Sequence, residues 1–472
     1  MPAPDLYRRT PDDVLEPPKT LGQTLRYLGP GLIITGSIVG SGELIMTTSL
    51  GAEIGFAFLW FVILACVIKV VVQIEIGRYA ISTGRTTMEG FNEIPGPRLM
   101  GTSWLVWWWF GMFVATTFQA AGIVSAVGQC LHQSFGNCRL PFGLYATVTE
   151  QGSVRGWTLL VAISGIALLL RGKYGMVQSV TTVLVFLFTL GTIANVALVQ
   201  STEFAISARN VWDGLSFQLP QVDNALLVAF GVFGVTGVGA SELVYYPYWC
   251  LEKGYARFAG PNDDSPDWTR RAKGWVRVLH ADAWLAMVVY TLATVAFYLL
   301  GAATLHGHGD VPEKDRLIAT LSQMYTATLG NIGLVTFLIG AFVVLYSTFF
   351  VATASLARVL ADFSHVVGRF SFRDQAHRAN WISVYVVLLP VAYCTIATVI
   401  SDRPKWLVTI GAIGQALTLP PIAAAAIYLR YTRTDRRITP RPLTDLMLWV
   451  TAVGMWIVGG YKVWDSVKDR IG

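Results

Sequence analysis

Uncharged apolar runs of about 20 residues recur from Leu32 to Val463, separated by short loops that hold nearly all of the charge. A helix rises about 1.5 Å per residue, so a run of this length crosses the roughly 30 Å hydrocarbon layer of a bilayer. Taken in turn, the runs predict eleven membrane spans, near residues 28–51, 56–82, 101–131, 157–170, 177–200, 224–250, 276–303, 328–360, 381–400, 406–430 and 443–463. The fourth is short and is expected to be completed by irregular backbone. Composition agrees with this pattern. The 472 residues are 54% hydrophobic and 14% charged, against about 25% charged in soluble domains. A soluble chain of this length would split into domains joined by polar linkers, and none is present.

A net charge of +6 does not point to nucleic acid, because the basic residues sit in the loops between spans. In an eleven-span chain, counting those near a span's end with the nearer side, 24 of the 35 Lys and Arg residues fall on the side of the N-terminus and 10 on the other, with Lys69 alone at the middle of a span. Basic loops stay in the cytoplasm, so the N-terminus is expected there and the C-terminus outside. No basic-then-apolar leader with a cleavage site opens the chain; residues 1–20, rich in Pro and Asp, read as a polar tail. The organisation expected is a tail at 1–24, a five-helix unit at 25–200, a second at 201–432, and an eleventh helix with the C-terminus at 433–472.

Two spans carry nearly the same string. The first reads Val39-Gly40-Ser41-Gly42-Glu43-Leu44 and the sixth Val238-Gly239-Ala240-Ser241-Glu242-Leu243, each shortly after a Thr-Gly pair, Thr35-Gly36 and Thr236-Gly237. The copies lie five spans apart, in the first and the sixth, so they cross the membrane in opposite directions, as in an inverted-topology repeat. Three small residues in a row are poor helix interior and let the backbone unwind, near Gly40–Gly42 and Gly239–Ser241. Packing of small helix faces accounts for the glycines but not for two matched glutamates. A charged side chain at mid-membrane costs about 2.5–3.5 kcal/mol or more.

Two carboxylates about 6 Å apart repel by roughly 3 kcal/mol at an effective dielectric near 20, so one stays protonated unless a cation lies between them. Carboxylates with the carbonyls of broken helices form an oxygen-only shell suited to Mg²⁺, Mn²⁺ or Ca²⁺. No Met, Cys or His occupies either string. Glu43 and Glu242 are the candidate ligands, with Gly40, Ser41, Gly239 and Ser241 beside them. In the tenth span Gln415 and Thr418 precede Pro420-Pro421, where the helix is expected to break or kink, and Gln415 completes the candidate shell or bonds a neighbouring helix.

Gly29-Pro30-Gly31 before the broken string, Gln73-Ile74-Glu75-Ile76-Gly77-Arg78-Tyr79 with Ser82-Thr83-Gly84, the sixth span, and Leu417-Thr418-Leu419-Pro420 together resemble the NRAMP divalent metal transporters. The resemblance implies an all-α polytopic fold of the five-plus-five inverted-repeat, leucine-transporter type, with helices one and six broken around a midplane site and an eleventh helix added. The family's first-helix motif Asp-Pro-Gly-Asn is replaced by Gly40, Ser41, Gly42 and Glu43, and its Met-Pro-His by Ala240, Ser241 and Glu242. The Asp and thioether of the transition-metal site are both gone. The family's proton route uses acidic residues in helix three and arginines in helix nine, yet Leu99–Leu131 and Trp381–Ile400 carry no charge. The expectation is a divalent cation transporter of a divergent NRAMP-related branch, without obligatory proton symport.

The cation is then substrate, no cofactor is called for, the lipid bilayer is the other partner, and oligomeric state is left open. A carrier of amino acids or other organic solutes on the same fold is the alternative, because Gly40-Ser41-Gly42 also resembles the break that holds a substrate carboxylate in amino-acid permeases; Glu43 would repel such an anion. An enzyme is not expected. His306-Gly307-His308-Gly309-Asp310 is the one outer-loop candidate for a metal, without an obvious third ligand. Lys69 needs a partner or polar cavity, Glu75 and Arg78 read as an ion pair, and Trp104, Trp107, Trp108 and Trp109 as an interfacial belt. Cys130 and Cys138 are close enough in sequence for a local disulfide, Cys66, Cys250 and Cys394 read as packing groups, and Pro261–Asp267 as a mobile surface loop.

Overall fold

The computed structural model describes residues 7, 9–138, 149–171, 174–219, 225–306, 312, 316–372, 375–401, 403–440 and 442–471. Among them, eleven helices are long and apolar enough to cross a membrane: α1 Pro30–Ile54, α2 Leu59–Thr83, α3 Trp104–Phe135, α4 Glu150–Leu170, α5 Val183–Ser201, α6 Val228–Lys253, α7 Pro266–Leu305, α8 Leu317–Val366, α9 Ala376–Ile400, α10 Pro404–Thr432 and α11 Pro442–Gly460. The most apolar stretches of α1 and α6 are 89% and 94% buried, against 28–33% in α4, α5, α9 and α11. The two helices with the repeated string therefore form the centre, and the four others form the lipid-facing wall. Helices α2, α3, α7, α8 and α10 lie between.

Three departures from the expected spans have local causes. Helix α4 starts at Glu150, not 157, because Thr149 caps it by accepting the Gly152 N–H (3.2 Å) and its polar first turns stay helical. Helix α8 begins at Leu317 and bends at Gly330, whose φ of 55° suits glycine. Helix α10 continues through Pro420 and Pro421 without breaking, since α3, α6 and α11 pack on it and hold the turn that lacks two hydrogen bonds.

Helix α1 is α-helical over Pro30–Ile38, widens to a π-helix over Val39–Thr47, and returns to α at Thr48–Ile54. It thus loses its α hydrogen bonding at the expected string without opening. The hydroxyls of Thr47 and Thr48 donate to the Gly42 and Glu43 carbonyls five residues back (3.0 and 3.2 Å) and cover the widened turn. Helix α6 does open, over residues 236–239, slightly ahead of the expected place. Gly237 takes a φ of 61° there, Gly239 becomes the N-cap of the second half, and Ser241 is already helical. Small residues let the two strings meet: a Cβ on Gly42 would lie 2.7 Å from the Val235 carbonyl.

The entry of α1 is capped from another helix. Asp282 of α7 accepts the N–H of Gly29 (2.8 Å) and of Gly31 (2.6 Å), with Pro30 between them in the first turn, where its missing N–H is no loss. Tyr246 also donates to Asp282 (2.9 Å). Glu75 and Arg78 form the expected ion pair (3.2 Å), extended by Arg430 (3.6 Å to Glu75) and Asp445 (3.3 Å to Arg430).

Several peripheral expectations need correction. Residues 9–17 lie against the ends of the helices instead of hanging free: Arg9 donates to the Ser82 carbonyl (3.1 Å), Leu15 N–H to Phe258 O (3.0 Å), and Trp275 Nε1 to Leu15 O (3.1 Å). Trp109 is a core residue stacked on Phe113, while Trp104, Trp107 and Trp108 remain at the surface. All five cysteines are free thiols, and Cys130 donates to the Leu338 carbonyl (3.1 Å) instead of bonding Cys138. His306 Nδ1 lies 2.9 Å from the Ala52 carbonyl; His308 and Asp310 fall outside the described residues.

The 261–267 loop is tied down because Arg437 reaches it, donating to the Asp264 carbonyl (2.7 Å) and to Asn262 Oδ1 (3.1 Å). Arg437 in turn grips Asp435 through Nε and Nη2 (3.0 and 2.7 Å). That guanidinium holds the Asp435 carboxyl at about 2, below its ordinary 3.8. A depressed carboxylate stabilises the fold above its unfolded value and loses that contribution as pH falls through the folded one. The thermal midpoint of wild type should therefore converge on that of Asp435→Asn between pH 3.8 and about 2, with wild type the more stable at neutral pH. Melting curves against pH in nanodiscs check this, and a gap that persists at pH 2 would contradict it.

Candidate functional site

The site forms where the π-helical turn of α1 faces the opened segment of α6. Glu43, fully buried, reaches across to α6: its Oε1 accepts the Gly237 N–H (2.9 Å) and the Thr294 hydroxyl of α7 (2.7 Å). Its Oε2 is buried with no hydrogen-bond partner among the described residues. A buried carboxylate oxygen without a donor is costly. It is the one oxygen of this carboxylate left for a ligand.

Glu242 reaches the opposite way. It sits in the first turn of the second half of α6, where a helix N-terminus favours negative charge. Its Oε1 accepts the hydroxyls of Tyr245 (2.6 Å) and of Ser37 on α1 (3.1 Å), and those two hydroxyls are 2.7 Å apart. Each glutamate thus bonds the other's helix. Ser37 and Thr236 are themselves related by the sequence offset that separates Glu43 from Glu242. Thr236 pairs with Thr47 of α1 (2.9 Å). The two carboxylates share no hydrogen-bond partner, although each lies within electrostatic reach of Lys69.

Lys69 of α2 is fully buried, and among the described residues its ammonium meets no carboxylate. It donates to the carbonyls of Phe233 (2.7 Å) and Thr236 and lies 5.0 Å from the centre of the Phe233 ring. The anticipated partner is therefore the carbonyl end of the first half of α6. Lys69 and Glu43 hold the peptide between Thr236 and Gly237 at its two ends, the carbonyl by one and the N–H by the other.

The remaining candidates fall into a polar chain through four helices. Gln415 of α10 accepts the Ser241 N–H (2.9 Å) and donates to Gln119 of α3 (2.8 Å), which donates to the Ser41 hydroxyl of α1 (3.0 Å). The Ser241 hydroxyl is buried without a partner among the described residues. Gly239 lies where a Cβ would come within 2.6 Å of both Gln415 Oε1 and Glu242 Oε2. Gly40 points elsewhere, into the contact between α1 and α8, where a Cβ would collide with Thr348. It allows close packing and does not line the carboxylates.

Sequence reasoning missed Ser37, Tyr245, Thr294 and Gln119. Gln119 had a signal, an amide in an uncharged span; the others are ordinary hydroxyls whose partners only the fold reveals. No group of three or more His, Cys, Asp or Glu placed to hold a metal occurs among the described residues. The donors present are carboxylates, hydroxyls, amides and carbonyls, which suit a hard cation.

Replacing Gln415 by Leu would leave the Ser241 N–H and the Gln119 amide oxygen unpaired in the core. The expected destabilisation is about 1–3 kcal/mol, read as a lowered thermal midpoint in detergent. An unchanged midpoint would mean that the chain is dispensable.

Residues 31–465 match the family model described as natural resistance-associated macrophage protein-like. The divalent metal cation transporter MntH of Mycobacterium tuberculosis is 24% identical over 325 residues, covering 67% of this chain and 68% of that protein. A solved manganese transporter of Eremococcus coleocola superposes with a TM-score of 0.69 at 13% identity, covering 98% of this chain and 92% of the other. MhsT, solved with L-phenylalanine, superposes with a TM-score of 0.56 at 14% identity, covering 91% and 97%.

Proposed function

The chain belongs to the natural resistance-associated macrophage protein-like family, and we propose that it carries divalent metal cations across the membrane by alternating access, with Glu43 and Glu242 as ligands. One observation carries the ligand assignment: the buried Oε2 of Glu43, without a hydrogen-bond partner among the described residues, beside the opened segment of α6. In an apolar interior such an oxygen is stabilised either by taking up a proton or by meeting a cation, and a dication that displaces the proton uses the same position. Ser41, Ser241, Gln415 and the backbone near Gly239 complete the oxygen shell once the two glutamates converge, while Gly40 serves the packing of α1 on α8. The relatives' names, a divalent metal cation transporter and a manganese transporter, support this substrate class. The absence of thioether and imidazole from both strings favours hard ions such as Mn²⁺ or Mg²⁺ over softer ones.

The five-helix units at 25–200 and 201–432 are the moving parts of this scheme, and the eleventh helix stands outside them. The excess of basic loops on the N-terminal side supports a cytoplasmic N-terminus. Glu43→Gln and Glu242→Gln should each weaken dication binding by about tenfold or more, equal to about 1.4 kcal/mol, and reduce uptake into liposomes. Wild-type flux in both variants would sink the assignment.

Coupling is the second point. Helix α3 carries no Asp, Glu, Lys or Arg, and in α9 the one such residue is Arg378, paired with Asp362 (2.6 Å) near the helix start. A proton wire needs titratable groups. Metal entry into vesicles should leave the lumenal pH unchanged when membrane potential is clamped. A trapped pH dye reporting acidification strictly dependent on the metal would refute uncoupled flux.

A further inference from the structure

The mechanism just proposed gives no role to the buried ammonium of Lys69 beside the opened segment of α6. Lys69 contacts neither glutamate directly, yet it occupies the carbonyls of Phe233 and Thr236 at the end of the first half of α6. The C-terminus of a helix carries about half a negative charge on its free carbonyls. Carbonyl oxygens at such a break, beside carboxylates, are the donors a hard dication uses. Lys69 thus occupies two oxygens of the kind a hard dication binds. Its side chain suits a reversible hold, being a compact ammonium on a flexible four-carbon stem.

Resting on the reading of Glu43 and Glu242 as cation ligands, we propose that Lys69 is a tethered cation, which holds the carbonyl end of the first half of α6 in the transported ion's stead and must be displaced when a dication binds. Charge makes the competition direct. Two ionised glutamates and one ammonium sum to a single negative charge, so a dication added beside Lys69 leaves excess positive charge in an apolar interior. With the ammonium gone, the same two glutamates neutralise a dication. Lys69 thus sets affinity and selectivity without touching the ion. It explains how the opened segment of α6 keeps its carbonyls satisfied through the part of the cycle in which the cation has been released.

A residue that only donates hydrogen bonds to those carbonyls would be replaced adequately by an amide. The decisive comparison is therefore equilibrium Mn²⁺ binding, by calorimetry in nanodiscs, for wild type, Lys69→Gln, Lys69→Met and Glu43→Gln. Lys69→Gln keeps a donor and removes the charge, and should bind Mn²⁺ about tenfold more tightly than wild type; Lys69→Met should shift in the same direction. Unchanged or weaker binding in Lys69→Gln, with binding lost in Glu43→Gln, overturns the tethered cation and leaves the ligand assignment standing. Wild-type affinity in Glu43→Gln overturns the ligand assignment and this inference with it. Should the Lys69 variants be too unstable to purify without metal, thermal midpoints with and without Mn²⁺ decide. A larger Mn²⁺-dependent rise in the variants than in wild type supports displacement, and no rise overturns it.

Discussion

One peptide unit governs the centre of this protein. Between Thr236 and Gly237 the backbone leaves the helix inside an apolar bundle, where an unpaired N–H or carbonyl costs several kcal/mol. The carbonyl is taken by Lys69 and the N–H by Glu43. Those bonds fix more than the peptide. Glu43 can reach Gly237 only because α1 widens into a π-helix over Val39–Thr47, and that turn is covered by Thr47 and Thr48. Lys69 brings α2 against the first half of α6, and Thr294 brings in α7. Opening one helix has thus recruited side chains from three others.

The pseudo-symmetry of the two repeats appears at the level of atoms. Glu43 bonds the opened backbone of α6, and Glu242 bonds a hydroxyl of α1. The match is not perfect, because α6 opens outright while α1 only widens. Glycine placement accounts for the direction of the difference. In α6 a Thr-Gly pair ends the first half, and Gly237 adopts a positive φ there. In α1 the residue that matches Gly237 at the same offset is Ile38, which stays helical, and the departure is spread over nine residues. The oxygen-only character of the centre follows from the same two strings, which lack the soft donors of the family's usual motif.

The span count, the central place of the two repeated strings and their departure from α-geometry were legible in the sequence, because apolar run length and small-residue clusters are local properties. Charge inside an apolar run was legible too, which is why Glu43, Glu242 and Lys69 stood out. Their partners were not. Lys69 was expected to need a partner or a polar cavity, and it meets two carbonyls, because a broken helix end carries a partial negative charge that no residue letter records. Gly40 was grouped with the ligands by adjacency, although its place in the turn directs it toward Thr348. Asp282, which caps α1 across the fold, was not singled out in the sequence. Pairings between helices distant in sequence depend on how the bundle closes, and only the assembled structure contains them.

The two side chains that satisfy the opened segment of α6 come from α1 and α2, which leave the ribosome before it. A chain is made from its N-terminus and folds in that order. By the time residues 236–239 enter the bilayer, their acceptor and donor have been waiting through the synthesis of three further helices. The unwound backbone therefore never has to face lipid alone. Supplied as a separate polypeptide without α1 and α2, the second repeat would carry a defect that it has no means of its own to repair.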